Sequence, residues 1–285
     1  MIETLRHAVR WRLDVIRNTD SPVSLQERLL FASTLKTSSR TKLVLGHIKE
    51  DGSGARYMEF GKYRIYYDLD IDPIDDQSFM SGILDAIKES FFFPPPYFSP
   101  HFRPKRGDIV FDIGASIGAI TMIMSKMVGD SGRVYSFEPA TNRSLTESIT
   151  TNHLENCRVV PKAVSNTNGQ VEIYILDSTQ KSSIMGKKTP NGRHCYIRIV
   201  ESTTLDDFVE SNALEKVDFI KMDIEGAEEV AILGAGRTIE RFHPQWSIAS
   251  YHHPGNEPQH PKLVKLLRDC GYRIEEKGSA HIFAY

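Results

Sequence analysis

DIVFDIGASIGAIT, residues 108–121, decides how this chain is read. Ile109 to Ile113 is a short apolar run interrupted only by Asp112. Such a run has the texture of a buried strand. Gly114 lets the backbone turn tightly and approach a ligand. Gly118 lets the helix that follows, AITMIMSKMV, pack close to that strand. In open α/β sheets, ligands sit beyond the carboxyl ends of the strands. Asp112, Gly114, Ala115, Ser116 and Gly118 are therefore candidate cofactor-binding residues.

The next strand, RVYSFEP, ends on an acidic residue, Glu138, 24 residues after Gly114. A carboxylate there can accept from two ribose hydroxyls at once. A dinucleotide-binding protein would carry GxGxxG, so that the pyrophosphate meets a helix N-terminus. Here the spacing is DxGxxxG, with serine at 116. The pattern favours a cofactor without phosphate, S-adenosyl-L-methionine, over a dinucleotide.

Outward from this unit the strand and helix patterns alternate. TNRSLTESITTNHL reads as a helix and CRVVPKAVS as a third strand. VEIYIL and CYIRIV are strand-like runs around the polar segment 177–194. TTLDDFVESN is a short helix capped by Thr203 or Thr204. VDFIKMDI is a buried strand, EEVAILGAGRTIE one helix, and QWSIASYHH the next strand. PKLVKLLRDCG is a helix stopped by Gly271, and YRIEEK with AHIFAY a closing hairpin. The alternation predicts an α/β fold: a mainly parallel sheet with helices on both faces and an antiparallel C-terminal edge hairpin.

Before residue 101 the texture differs. Residues 1–40 read as helical, with Leu5, Val9, Leu13 and Ile16 at helical spacing and Ser24 to Leu35 as a second helix. KLVLGHI and ARYMEF flank Asp51-Gly52-Ser53-Gly54, a hairpin signal, and YRIYYDLD follows as a strand. Asp75 to Phe93 reads as a helix stopped by Pro94-Pro95-Pro96. Two regions are expected: 1–100, a helix and hairpin extension covering the substrate, and 101–285, the cofactor-binding domain.

Composition narrows the function classes. With 35 basic and 37 acidic residues the net charge is −2, so no global basic field draws the chain to nucleic acid. Cys157, Cys195 and Cys270 are odd in number and form no CxxC pair, which speaks against a zinc site or a disulfide framework. The first residues interleave Arg6, Arg10, Arg12 and Arg17 with apolar ones, unlike a signal peptide. No run approaches the roughly 20 apolar residues that span a bilayer. A cytoplasmic location is expected.

These pieces resemble the FkbM family of methyltransferases. The resemblance rests on VFDIGASIGAIT, YSFEP, KAVSN, and above all TTLDDF followed by VDFIKMDIEGAEEVAILGA. Glu89 and Tyr97 fall where the family usually has a Glu and a Tyr before the glycine loop. The match covers about residues 86–285, while residues 1–75 carry no such motif. The family usually has asparagine where this chain has Ser116. The resemblance implies a class I (Rossmann-like) methyltransferase fold, S-adenosyl-L-methionine as donor, and a hydroxyl acceptor on a sugar, glycan, lipid headgroup or polyketide. Carried over, Asp112, Gly114 and Gly118 line the methionine end, Glu138 binds ribose, Ala163 or Val164 borders the adenine, and Asp223 and Glu225 face the reacting centre.

An alcohol is a poor nucleophile at neutral pH and needs a general base or a metal-bound alkoxide. Asp223 and Glu225 follow a buried strand, and residues two apart in a strand face one side. One can hold the methionine amino group, the other the acceptor hydroxyl. His252 and His253 end the next strand, where a histidine can act as base or complete a metal site with Asp223 or Glu225. The catalytic residues assigned are Asp223, Glu225 and His252, and no metal ligand is assigned. His243 and His260 are expected at the surface. Phe93-Pro-Pro-Pro-Tyr97 looks like the loop of amino-group methyltransferases, but lacks the Asp or Asn that would accept from the amino group. The expected function is O-methylation of a saccharide, glycolipid or secondary metabolite. The alternatives are a nitrogen or protein acceptor, or a catalytically inactive cofactor-binding module.

Overall fold

A computed structural model describes residues 24–26, 28–29, 48–60, 62–67, 91, 95–140, 142–176, 182–183, 195–254 and 257–285. Of the helix expected over Asp75 to Phe93, Phe91 alone is described, helical and buried, and of the helical stretch expected over residues 1–40 the part before Ser24 lies outside the described residues. Of the expected helix at 24–35, residues 25–26 and 28–29 are helical.

The apolar runs of the sequence become the strands of one seven-stranded sheet. These are β4 (Ile109–Ile113), β5 (Arg133–Phe137), β6 (Cys157–Val160), β11 (Phe219–Met222), β12 (Gln245–Ala249), β13 (Ile274–Lys277) and β14 (His281–Ala284). Their spatial order is β13-β14-β12-β11-β4-β5-β6. The five strands from β6 to β12 run parallel. β14 joins β12 antiparallel and β13 closes the edge antiparallel. The predicted fold class, the class I Rossmann-like methyltransferase arrangement, is the one observed. The chain order reverses between β4 and β11, which opens a crevice at their carboxyl ends.

The helices are α1 (Ala119–Val128), α2 (Asn142–Thr151), α3 (Leu205–Ser211), α4 (Glu228–Leu233), α5 (Gly236–Phe242) and α6 (His260–Asp269). Thr204 caps α3, its hydroxyl accepting from the Asp207 amide at 3.0 Å. Gly271 adopts φ +88 just past α6, the left-handed stop that glycine provides. One helix expected over 228–240 is two. Gly234 sits so close to Ser165 that a β-carbon would lie 2.2 Å from the Ser165 carbonyl oxygen, and the chain breaks there.

The expected third strand is also divided. Pro161 has no N–H to give a ladder, and the Lys162 amide turns back to the Val160 carbonyl at 2.8 Å. Beyond it, β7 (Ala163–Val164) leaves the main sheet. With β8 (Gly169–Leu176), β9 (Ser182–Ser183) and β10 (Cys195–Thr203) it forms a second sheet in the order β7-β10-β8-β9.

Aromatic packing fills the main sheet's interior. Phe208 of α3 stands edge-on to Phe111, Tyr135 and Phe137, with centroids 5.7, 5.3 and 4.7 Å away. Trp246 is fully buried and donates to the Tyr272 hydroxyl at 3.0 Å. On the other face, α1 packs with residues that precede β4 in the chain. Met58, Phe60, Ile65 and Tyr67 share one cluster with Ile120, Ile123 and Met124. These belong to, or follow, a three-stranded antiparallel sheet, β1 (Ile48–Glu50), β2 (Arg56–Phe60) and β3 (Tyr63–Tyr66). β3 is tied to α2: the Tyr66 amide donates to Ser148 Oγ at 2.9 Å, and the Arg64 amide to Asn152 Oδ1 at 2.9 Å. Among the described residues no helix is long and apolar enough to cross a membrane.

Candidate active site

The glycine loop after β4 is built on three left-handed residues, Gly114 at φ +78, Ser116 at φ +50 and Gly118 at φ +97. A β-carbon on Gly114 would lie 1.9 Å from the Asp223 carbonyl oxygen, so only glycine fits. The amides of Gly114 and Ala115 both donate to the Phe137 carbonyl, at 3.0 and 3.1 Å. Ser116 departs from asparagine at a left-handed position, where asparagine is the better tolerated of the two. The Ser116 amide donates to Glu138 Oε2 at 2.9 Å. Glu138 Oε1 accepts from the Ala140 amide at 2.8 Å, so this buried carboxylate ties the loop after β5 to the glycine loop.

Asp112 is completely buried. Its Oδ1 pairs with Lys221 Nζ at 3.0 Å and its Oδ2 accepts from Thr121 Oγ1 at 2.7 Å. Lys221, itself 3% exposed, also donates to the Gly114 carbonyl at 2.7 Å. Asp112 and Lys221 thus hold the glycine loop from beneath. Ala163 is buried in β7, three residues past Val160, whose carbonyl accepts the Glu138 amide at 3.0 Å.

Asp223 and Glu225 lie past the end of β11, in a turn. Strand alternation, the expected reason for their shared direction, is not what aligns them. Glu225 takes φ +55 and Gly226 φ +105, a strained turn for a non-glycine residue. Strand β12 ends at Ala249, so His252 and His253 are also in a loop. His253 is exposed, whereas His252 is only 8% exposed. His252 Nε2 lies 3.4 Å from Asp223 Oδ1 and 3.4 Å from Glu225 Oε2. Its Nδ1 lies 3.1 Å from Glu228 Oε1. The structure therefore brings Asp223, Glu225 and His252 to one point.

Glu228 is wholly buried and fixed: it accepts the Ile224 amide at 2.9 Å and Gln259 Nε2 at 2.7 Å. Burial alone would push the His252 imidazolium pKa down. The carboxylates of Glu228, Asp223 and Glu225 outweigh it, and the net shift is upward. Tyr97 donates its hydroxyl to Asp223 Oδ2 in a short contact, and burial with the Asp223 charge raises the phenol pKa well above its usual value. The proline-rich segment that ends in Tyr97 thus delivers a phenol to a carboxylate.

Two residues important to this geometry escape a reading by motif. Lys221 is signalled only as a cation inside the otherwise apolar FIKM strand. Glu228 reads as helix-dipole complement in the first turn of α4, yet it faces inward beneath His252. His260, expected at the surface, is a correction. It is 8% exposed, bonded to Ser250 Oγ at 2.7 Å and to Glu276 Oε2 at 2.9 Å, because α6 turns its first residue onto β13.

Similarity to known proteins follows this geometry. The Methyltransferase FkbM domain matches residues 112–274, from Asp112 to the first residue of β13. The chain is 25% identical over 149 residues to the 2-O-methyltransferase NoeI of Sinorhizobium fredii, a stretch that is 48% of this chain and 61% of NoeI. It therefore spans less than two thirds of that relative. A crystal structure of Methyltransferase FkbM from Methylobacillus flagellatus is 17% identical with a TM-score of 0.43, covering 74% of this chain and 56% of that one. A SAM-dependent methyltransferase from Aquifex aeolicus is 16% identical with a TM-score of 0.40, covering 70% and 91%. The FkbM domain takes in more than half of the 285 residues and every candidate site residue from Asp112 to His252, and the chain belongs to the FkbM family of S-adenosylmethionine-dependent methyltransferases.

Proposed function

We propose that this chain methylates a hydroxyl of a saccharide, glycolipid or secondary metabolite, with S-adenosyl-L-methionine as donor. The observation that carries the reading is the convergence of Asp223, Glu225 and His252 beside the glycine loop, at the reversal point of the sheet.

The residues present fit the cofactor's chemistry. S-adenosyl-L-methionine supplies a methyl group already activated by a sulfonium, so the protein's task is alignment. Gly118 caps α1 without any side-chain hydrogen bond, which leaves first-turn N–H groups for a carboxylate. Asp223 Oδ1 is buried without a hydrogen bond and suits a cationic group. Gly114, Ala115, Ser116 and Gly118 would border the methionine portion, Glu138 the ribose and Ala163 the adenine. Asp112 would act through Lys221 by fixing the loop.

For the acceptor, Asp223, Glu225 and His252 surround the point to which the hydroxyl would be brought and where its acidity would be raised. Glu228 holds the imidazole in place from Nδ1. The relative NoeI is a 2-O-methyltransferase, which supports oxygen as the acceptor atom. The 1–100 extension is proposed to shape the acceptor pocket. Asp223→Asn should lower turnover at least 100-fold while shifting the melting temperature by only a few degrees. Radiolabelled methyl from extracts should be recovered in glycan, lipid or small molecules. Recovery only in protein or RNA would sink the hydroxyl acceptor.

A further inference from the structure

We propose that Asp223, Glu225 and His252 form a binding site for one divalent transition-metal ion, of the manganese or zinc kind. The inference deepens the acceptor reading above and rests on it for its chemical meaning, though not for its geometry. Each of the three residues offers one ligand atom, and the three atoms lie within 4.8 Å of one another.

His252 points to a ligand independently of the two carboxylates. The side chain is more than nine-tenths buried, and its Nε2 makes no hydrogen bond. Nδ1 is turned to Glu228, and in the neutral ring that donates there Nε2 carries its lone pair toward two carboxylate oxygens, each 3.4 Å away. A proton on Nε2 or a metal ion in its place can balance the two carboxylates at this point, and the metal competes by taking three ligand atoms at once. Atoms bound about 2.1 Å from a tetrahedral ion lie about 3.4 Å apart, and about 3.0 Å apart around an octahedral one. The two separations from Nε2 match the first figure and need little closure to reach the second.

The surroundings fit a bound ion as well. A metal-ligating histidine almost always turns its other nitrogen to a carboxylate or carbonyl, which fixes the ring. Glu228 is in that place, and it is itself held by the Ile224 amide and Gln259. Asp223 is held in turn by the Tyr97 hydroxyl on its second oxygen, leaving Oδ1 turned to the cluster. The imidazole donor suits zinc better than magnesium or calcium, and the two carboxylates also suit manganese. Such an ion would lower the pKa of a hydroxyl brought against it, the same difficulty that the acceptor poses.

The test is a titration of Mn2+ into the chelator-treated full chain, followed by the loss of the free-ion paramagnetic resonance signal, with Zn2+ as competitor. One ion should bind per chain and Zn2+ should displace it. Glu225→Gln, at a partly exposed position, should weaken binding at least tenfold without loss of fold, and His252→Ala at least as much. Glu228→Gln should weaken it about 10- to 100-fold through the ring orientation. Absence of Mn2+ binding, or binding unchanged in both Glu225→Gln and His252→Ala, would overturn the site. Calorimetry with S-adenosyl-L-methionine on the same samples separates the two claims. Cofactor binding without Mn2+ binding defeats the metal site alone, while loss of cofactor binding in wild type defeats the methyltransferase reading.

Discussion

Lys221 is the only charged residue in a four-residue strand whose other members, Phe219, Ile220 and Met222, are apolar and buried. Its ammonium joins the Asp112 carboxylate to the Gly114 carbonyl and lies 5.1 Å from the Tyr97 ring centroid. Removing one partner of a buried pair leaves an uncompensated charge, which costs about 3–5 kcal/mol. Lys221→Met should lower unfolding free energy by about that amount in a denaturant titration. Adding Asp112→Leu should restore most of it, because an apolar replacement of both partners is often neutral. A loss under about 1 kcal/mol for the single substitution would remove Lys221 from the loop's support. The pair also explains why Asp112 reads so clearly as a site residue and yet is buried: the glycine loop needs a negative charge under it to hold the lysine that grips it.

At the scale of elements, Gly234 separates two helices that the apolar periodicity joins. Its neighbour is the Ser165 carbonyl, 69 residues earlier in the chain, and any β-carbon there would meet it at 2.2 Å. Gly234→Ala should therefore destabilise by about 1–3 kcal/mol, against the usual gain from alanine in a helix. A melting temperature equal to or above wild type would show that the contact is not close. This break marks the limit of what the sequence makes legible. Strands β4, β5, β11 and β12 and helix α1 follow from local pattern, since each is a run of one period bounded by glycine, proline or charge. The division of CRVVPKAVS into β6 and β7, the break at Gly234 and the inward turn of His260 depend on contacts between distant segments. No window of local sequence contains those contacts. The candidate site shows the same split. Gly114, Gly118 and Glu138 are signalled by spacing. Asp223 and Glu225 are signalled by the MDIEG motif, but their alignment arises from the left-handed turn at Glu225. Glu228 and Lys221 are placed by tertiary packing alone.

At the scale of the whole molecule, the sheet's antiparallel edge bears on how stability responds to acid. His281 of β14 is buried, and its Nε2 lies 2.8 Å from Ser247 Oγ, which donates onward to the Tyr97 carbonyl at 2.7 Å. Burial, with help from Lys277 and Lys221, lowers its pKa from 6.5 to about 4. The unfolded chain takes up this proton near pH 6.5 and the folded chain only near pH 4. The stabilising contribution is therefore complete above pH 6.5 and is lost as pH falls toward 4, by about 3 kcal/mol. Denaturant midpoints measured from pH 7.5 to pH 4.5 should fall for wild type, and less steeply for His281→Gln. Equal slopes would place the acid sensitivity elsewhere. The same edge reaches the crevice through Tyr97, the last residue of the proline-rich segment, which meets both Ser247 and Asp223.

The central claim is that the crevice between β4 and β11 holds S-adenosyl-L-methionine, with Glu138 across its mouth. Calorimetric titration of S-adenosyl-L-methionine into the wild-type chain and into Glu138→Ala tests it most directly. One cofactor should bind per wild-type chain, with affinity at least tenfold weaker in the variant. Absence of binding to wild type, or equal affinity in the two proteins, would contradict the account.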